Sequence, residues 1–477
     1  MSVYYICTNI FGKISLINRG YSLLCLPRLR ACFIMMHDPH IFSALRAELS
    51  DRDRWQTRVV VLTFGILSGL TVVAFTWLTE HALEWFHRGR EGMPWLPLLW
   101  TPLCTAMVVW VTRQWAPGTA GSGIPQVMAA LHAGVEPRWR GLYVSIRLSL
   151  AKMLLTAWGL LGGLSQGREG PSVQIGAGVM HAARGWLPAR SAVSAHGLLI
   201  AGGAAGIAAA FNTPLGGIMF AIEELSRRPE QRSNGLIMAA IVLAGLIGIS
   251  VYGNSTYFGV IRVQPIGWAL LGPGVLVAIS CGLTGGLFAR LLTLSLSGRA
   301  GDRFTRWRQR YPVRFAAGCG LAVAIIGMAS GGATFGSGYL HTRGLLDGAG
   351  DSAPLFVLLK FAATWITAWS GAPGGIFAPS LAIGAGMGWD IAQWTGHADA
   401  PTLIALGMAA FLAAVTQAPM TAFIIVMEMV DGYNLVLSLM ACSLVASAVS
   451  RLVSRPLYAS LTELQLARLP VAADVKA

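Results

Sequence analysis

Charge is scarce in this chain. Only 12% of its 477 residues are Asp, Glu, Lys or Arg, whereas a soluble globular domain carries about a quarter. With 55% hydrophobic residues and a mean hydropathy of +0.60, that shortage excludes a soluble globule and leaves an integral membrane protein. The alternating segments of about ten residues that build a membrane barrel are missing as well, and apolar windows run unbroken over 59–77 and 237–251. Paired cysteine spacing is absent. Cys7, Cys25, Cys32, Cys104, Cys281, Cys319 and Cys442 are scattered, so neither a disulfide framework nor a metal site is indicated. There is no His-Glu-x-x-His and no Ser/His pair at the ends of facing broken helices, which leaves an intramembrane enzyme only as a remote alternative. Nothing calls for a cofactor.

What is present in excess is glycine, 57 residues and nearly double the usual share of about 7%, as expected of helices packed closely through small residues. The net charge of +14 would suggest nucleic acid in a soluble protein. Here the basic residues sit in short loops beside apolar spans, and the positive-inside rule accounts for them without nucleic acid. Arg46, Arg52, Arg54 and Arg58 precede the first span; Arg299, Arg303, Arg306, Arg308, Arg310 and Arg314 crowd a central connection; Arg451 and Arg455 follow the last. All three regions are expected on the cytoplasmic side. Residues 1–35 lack a clear signal-cleavage pattern, and a start at Met35 or Met36 is expected.

The chain is internally duplicated. Lys152 stands 19 residues before Pro171 and Lys360 the same distance before Pro379, and six of the eight residues from each proline onward are identical. Thr119–Gly123 recurs as Thr334–Gly338, and the Pro214-to-Glu223 interval recurs from Pro419 to Glu428. One unit over residues 56–253 therefore matches a second over 265–455. Spans are expected near 58–86, 96–112, 143–165, 195–210, 234–252, 265–295, 315–330, 353–370, 401–414 and 434–450. Shorter apolar pieces at 121–132, 170–182, 214–225, 377–389 and 419–430 begin at Gly or Pro, too short to cross, and must enter the membrane and stop. The division that follows is a cytoplasmic segment 1–55, a first membrane repeat 56–253, a connection 254–314 with a basic cytoplasmic loop, the rest of the second repeat 315–455, and a cytoplasmic tail 456–477.

Broken apolar segments in corresponding positions of two repeats are the sequence mark of a transporter's binding site. Proline at the first helical turn, as in Gly170-Pro171 and Ala378-Pro379, fits a position whose N–H would be unpaired. Each such end carries roughly half a positive charge. Ile376 and Phe377 would offer amides to an anion, Ser122 and Tyr433 hydroxyls. Partial charges of this kind hold an ion releasably, as conduction requires. Taken singly, a Gly-Ser-Gly turn or a tyrosine reads better as helix packing or an interface anchor; it is their combination at these offsets that points to an anion site. Glu169 sits just before a helix N-terminus, where its carboxylate competes for the same amides; a structural cap is the alternative, but its repeat counterpart is Phe377. Lys152 and Lys360 are expected to pair with carbonyls at helix ends.

Gly121-Ser122-Gly123-Ile124-Pro125, Gly167-Arg168-Glu169-Gly170-Pro171 and Gly375-Ile376-Phe377-Ala378-Pro379 resemble the three signature motifs of the CLC family of chloride channels and chloride/proton antiporters, and Tyr433 resembles its pore tyrosine. The resemblance covers about residues 55–460. It implies an all-α membrane fold of two inverted-topology repeats with tilted and half-crossing helices, a homodimer with one pore per subunit, and chloride and protons as transported ions. It implies that Glu169 gates and carries protons, and that Glu224 is the internal proton glutamate. Its repeat counterpart is Met429, and a membrane-buried acid is costly to keep charged, which suits proton exchange near neutral pH. Neighbouring Glu223, repeated as Glu428, reads as an interfacial ion pair with Arg227 or Arg228. Arg168 would attract anions at the outer mouth. Within the family, serine at position 122 implies chloride rather than nitrate. Nucleotide-sensing domains are not expected after the last span, which implies a prokaryotic-type protein of the bacterial cytoplasmic membrane. A passive, voltage-dependent chloride channel on the same scaffold is the alternative to an antiporter.

Overall fold

The computed structural model describes residues 51–136, 139–226, 234–253, 256–259, 268–298, 301–348, 355–396 and 400–467. Met35, Met36, Arg46, Arg227, Arg228, Arg299 and residues 468–477 of the tail lie outside them. The chain divides into two units, Met1–Gln56 and Thr57–Ala477. Within the described part of the first, Asp51 accepts from the Arg54 amide and pairs with its guanidinium.

Among the described residues the fold is helical. The first repeat comprises α1 (Arg52–Gly92), α2 (Leu96–Trp115), α3 (Ile124–Leu131), α4 (Ile146–Leu161), α5 (Glu169–Ala182), α6 (Ala195–Phe211), α7 (Pro214–Phe220) and α8 (Asn234–Tyr252). The second runs α9 (Leu271–Ser297), then a basic helix α10 (Arg303–Arg310), α11 (Pro312–Ala329), α12 (Tyr339–Leu346), α13 (Phe356–Ser370), α14 (Phe377–Thr395), α15 (Ala400–Thr416), α16 (Pro419–Met429) and α17 (Val436–Val453). A last helix, α18, covers Leu457–Leu466. Leaving out α10 and α18, the helices correspond one to one, α1 with α9 through α8 with α17. Among the described residues, seven segments are long and apolar enough to cross a membrane. The half-crossing pieces expected from the sequence appear as α3, α5, α7, α14 and α16, and α7 continues into a π-helical turn over Ala221–Ser226. The stretch expected as a tail differs. Its first part folds as α18 with Leu457 and Tyr458 buried.

Helices α6 and α15 are apolar on every face and buried almost throughout, as a helix without a polar face must be. Their glycines let backbones touch. A Cβ on Gly407 of α15 would collide with the Gly384 carbonyl of α14, and one on Gly202 of α6 with the Gly176 carbonyl of α5. The same close packing thus holds each broken helix against a core helix in both repeats.

The duplication extends to side-chain detail. The buried Lys152 ammonium donates to the carbonyls of Thr119, at 2.7 Å, and Gly121; the buried Lys360 ammonium donates to those of Thr334, at 3.0 Å, and Gly336, at 2.8 Å. Each lysine satisfies the carbonyls of the glycine turn that precedes a short helix, as expected. Glutamates couple the halves. Glu223 accepts from the amides of Met420 and Thr421 at the start of α16, at 3.2 and 2.7 Å, and Glu428 accepts from those of Leu215 and Gly216 at the start of α7, at 3.1 and 2.7 Å. Glu223 therefore caps a helix of the other repeat; the expected ion pair with Arg227 or Arg228 falls on residues outside the described ones.

Gly407→Ala or Gly202→Ala is expected to lower stability by about 1–3 kcal/mol through overpacking, whereas Gly272→Ala, with open space at its Cβ position, should leave it unchanged. Thermal melts followed by size-exclusion chromatography in detergent would test the difference.

Candidate ion-binding site

The two repeats meet at their glycine motifs. The Gly167 amide donates to the Gly375 carbonyl at 2.7 Å and the Gly375 amide to the Gly167 carbonyl at 2.8 Å, while the Gly374 amide reaches the Gly121 carbonyl at 3.1 Å. This antiparallel bridge fixes the start of α5 beside the start of α14. Glycine is required here: a Cβ on Gly170 would strike the Ser122 hydroxyl, and one on Gly375 would stand 3.0 Å from the Gly170 amide. Gly123, at φ +107°, is in a backbone region open mainly to glycine and opens α3, with Pro125 in its first turn. All three sequence motifs, with Gly121, Pro171 and Pro379, thus build one junction of helix N-termini.

Ile376 and Phe377 are 4% and 2% exposed and begin α14, where the first-turn amides have no intrahelical acceptor. Ser122 is 8% exposed, and its hydroxyl has no well-aligned hydrogen-bond partner among the described residues. Glu169 is completely buried. Its carboxylate lies against Gly167, where an added Cβ would also be 3.1 Å from the Pro379 ring. The amides of Ala378, Arg168 and Glu169 itself face it, but none is aligned as a hydrogen bond and both oxygens remain unpartnered. We therefore treat the amides as an electrostatic cradle. The acid occupies the place where two helix dipoles converge.

Tyr433 is not there. It lies 56% exposed in a 3-10 turn after α16, which corrects the sequence expectation. Tyr458, only 1% exposed, takes the place instead. Its hydroxyl faces Ser122 without forming an aligned hydrogen bond, and its helix α18 packs on α3, where Thr462 donates to the Pro125 carbonyl at 3.5 Å. The available signal was the proline of Arg455-Pro456-Leu457-Tyr458, which marks another helix start and puts a hydroxyl in its first turn. Glu224 is 6% exposed in the π-helical turn and lies close enough to Tyr458 to interact electrostatically. Ser122 and Tyr458 thus stand with Glu169 and Glu224 both within electrostatic reach.

A cavity of about 740 Å³ leads to Glu169 and Arg168, bordered by α1, the Gly331–Ala333 turn and the start of α12. Arg168 lines this cavity and is paired there. Its guanidinium donates to Glu80 at 2.8 Å and to the Tyr257 hydroxyl at 3.4 Å.

The family described as Voltage gated chloride channel matches residues 104–451. The chain belongs to this family, the CLC proteins. It is 32% identical to the H(+)/Cl(-) exchange transporter ClcA of Cronobacter sakazakii over 89% of this chain and 94% of the relative. Among solved structures it resembles a slow cyanobacterial Cl-/H+ antiporter, with TM-score 0.74 and 26% identity over 87% of this chain and 98% of the other. A CLC-type fluoride/proton antiporter shares the fold at TM-score 0.70 and 21% identity, over 85% and 97% of the two chains. The CLC fold, an all-helical membrane scaffold of two inverted-topology repeats, accounts for the paired lysines, the exchanged glutamate caps and the glycine bridge.

Lys360→Met should leave the Thr334 and Gly336 carbonyls unpaired in the interior, a loss of about 1–3 kcal/mol for each buried orphan. Arg343→Met, at an exposed ion pair, should change the melting temperature little; melts of both variants would compare them.

Proposed function

We propose that this CLC protein exchanges chloride for protons across the bacterial cytoplasmic membrane, as a homodimer with one pore per subunit. One observation carries the reading: the orphaned hydroxyls of Ser122 and Tyr458 adjoin a junction of bare helix amides into which the carboxylate of Glu169 is folded. Chloride would be held by those two hydroxyls and the amides of Ile376 and Phe377, without a full positive charge to trap it. Glu169 and the anion would compete for the amides. Protonation of Glu169 removes the charge that favours the cradle, frees the side chain and opens the path, so one group serves as gate and proton carrier. Glu224 would pass protons on the inner side, where the residues that follow it are basic. The length of α1 supports this sidedness. Roughly 1.5 Å of rise per residue carries the helix from its basic cytoplasmic start to the Glu80 cavity across the full thickness of a bilayer. No cofactor or metal enters the scheme, and the relatives named above are transporters.

The antiport reading has a direct test in proteoliposomes of purified protein at crossed chloride and pH gradients. The reversal potential should depend on both ions, and an inward chloride gradient should drive protons uphill. Glu224→Ala should stop proton movement while chloride flux continues. Glu169→Ala should leave chloride flux without proton coupling. Chloride flux with no proton movement in the unmutated protein would refute exchange and establish a passive channel.

Calorimetry separates the two tyrosines. Tyr458→Ala should weaken chloride binding about tenfold, the equivalent of one hydrogen bond to a charged partner at about 1.5 kcal/mol. Tyr433→Ala should leave the affinity unchanged, and the opposite ranking would restore Tyr433 to the site.

A further inference from the structure

The pair between Glu80 and Arg168 has a place in transport that the motif residues do not account for. Arg168 is the residue before Glu169, and its side chain is only 11% exposed. A guanidinium so placed acts on the adjacent carboxylate through little water, where charges interact more strongly than in solvent. Its partners are few: Glu80 from α1 at 2.8 Å, the Thr76 carbonyl at 3.5 Å, and Tyr257, whose hydroxyl lies at 3.4 Å and whose ring centre lies 5.9 Å away. Of these only Glu80 carries a full negative charge. Glu80 is 49% exposed on the cavity wall, so the counter-charge is open to the outer solution while the guanidinium is mostly buried.

We propose that Glu80 is a positioning residue for the transport cycle: by pairing with Arg168 it neutralises the guanidinium, so that Glu169 can leave the amide cradle at moderate external pH. The inference rests on Glu169 being the gate. Without Glu80, the positive charge of Arg168 acts on Glu169 alone and holds its carboxylate charged and seated; loss of Glu80's own negative charge works in the same direction. Opening then demands a higher proton concentration. The other titratable and charged groups around the cavity are Glu84, His87, Arg90, Glu91 and His341, with Tyr339 beside Tyr257. Glu84 is paired with Arg88 and so does not substitute for Glu80 at Arg168, and the positive charge of Arg90 is taken up by the Gly331 carbonyl.

The test is chloride flux of the full-length protein in liposomes as a function of external pH. Glu80→Gln should move the activation profile toward acid by about half a unit or more, the size expected for one nearby charge, with the maximal rate at low pH retained. Glu80→Asp should restore most of the wild-type profile, which a purely structural role for the side chain would not predict. In a Glu169→Ala background, which should lack the pH dependence, Glu80→Gln should have no further effect. If Glu80→Gln does not fold, Glu80→Cys derivatised after purification serves instead: a sulfonate-bearing thiol reagent should give a more alkaline profile than a trimethylammonium-bearing one. Superimposable profiles for wild type and Glu80→Gln, or for the two derivatives, would overturn the inference. Retained pH dependence in Glu169→Ala alone would instead overturn the gate on which it rests.

Discussion

The structure depends on backbone amides that its helices leave unpaired inside the membrane. A spanning helix satisfies its own polar groups, and in hydrocarbon nothing else will. This chain breaks that arrangement at α3, α5, α7, α14 and α16, and much of its buried polar chemistry answers the breaks. Lys152 and Lys360 take up the carbonyls of the turns, Glu223 and Glu428 take up amides at α7 and α16, and the glycine bridge pairs the motif loops. What these devices leave over is a set of donors at the starts of α5 and α14 with Glu169 among them. In the proposed reading, the binding chemistry is what these backbone pairings leave uncompensated.

In the proposed reading, selectivity and release follow from the same remainder. Partial dipoles and hydroxyls, summed over a few groups, favour an anion without the depth of well that a bare ammonium would give. The two buried lysines are engaged with carbonyls, so their field reaches an ion but their hydrogen bonds do not.

Most of this was legible in the sequence because repetition and punctuation are local. Proline after glycine marks a helix start wherever it occurs, and two copies of Lys-to-Pro spacing gave both the repeat and the role of Lys152 and Lys360. What the sequence did not reveal shares a cause. Tyr433 follows α16 directly in sequence, whereas Tyr458 reaches Ser122 only because α18 folds back onto α3, a contact between residues 337 positions apart at Thr462 and Pro125. Glu223 likewise stands beside arginines in sequence and closes a helix nearly two hundred residues on. Arg168 gave no sign of its partner on α1. Pairings across repeats depend on how helices lie together, and no short-range pattern encodes them.

The exchanged glutamates also determine how the halves relate as folding units. An acid at the end of one half finishes a helix in the other, and the reverse holds with equal geometry. Cut between the repeats, each fragment would carry a bare helix start and a carboxylate with nothing to grip. The duplicated segments are for this reason not two domains in tandem but mutually completing parts of one compact unit.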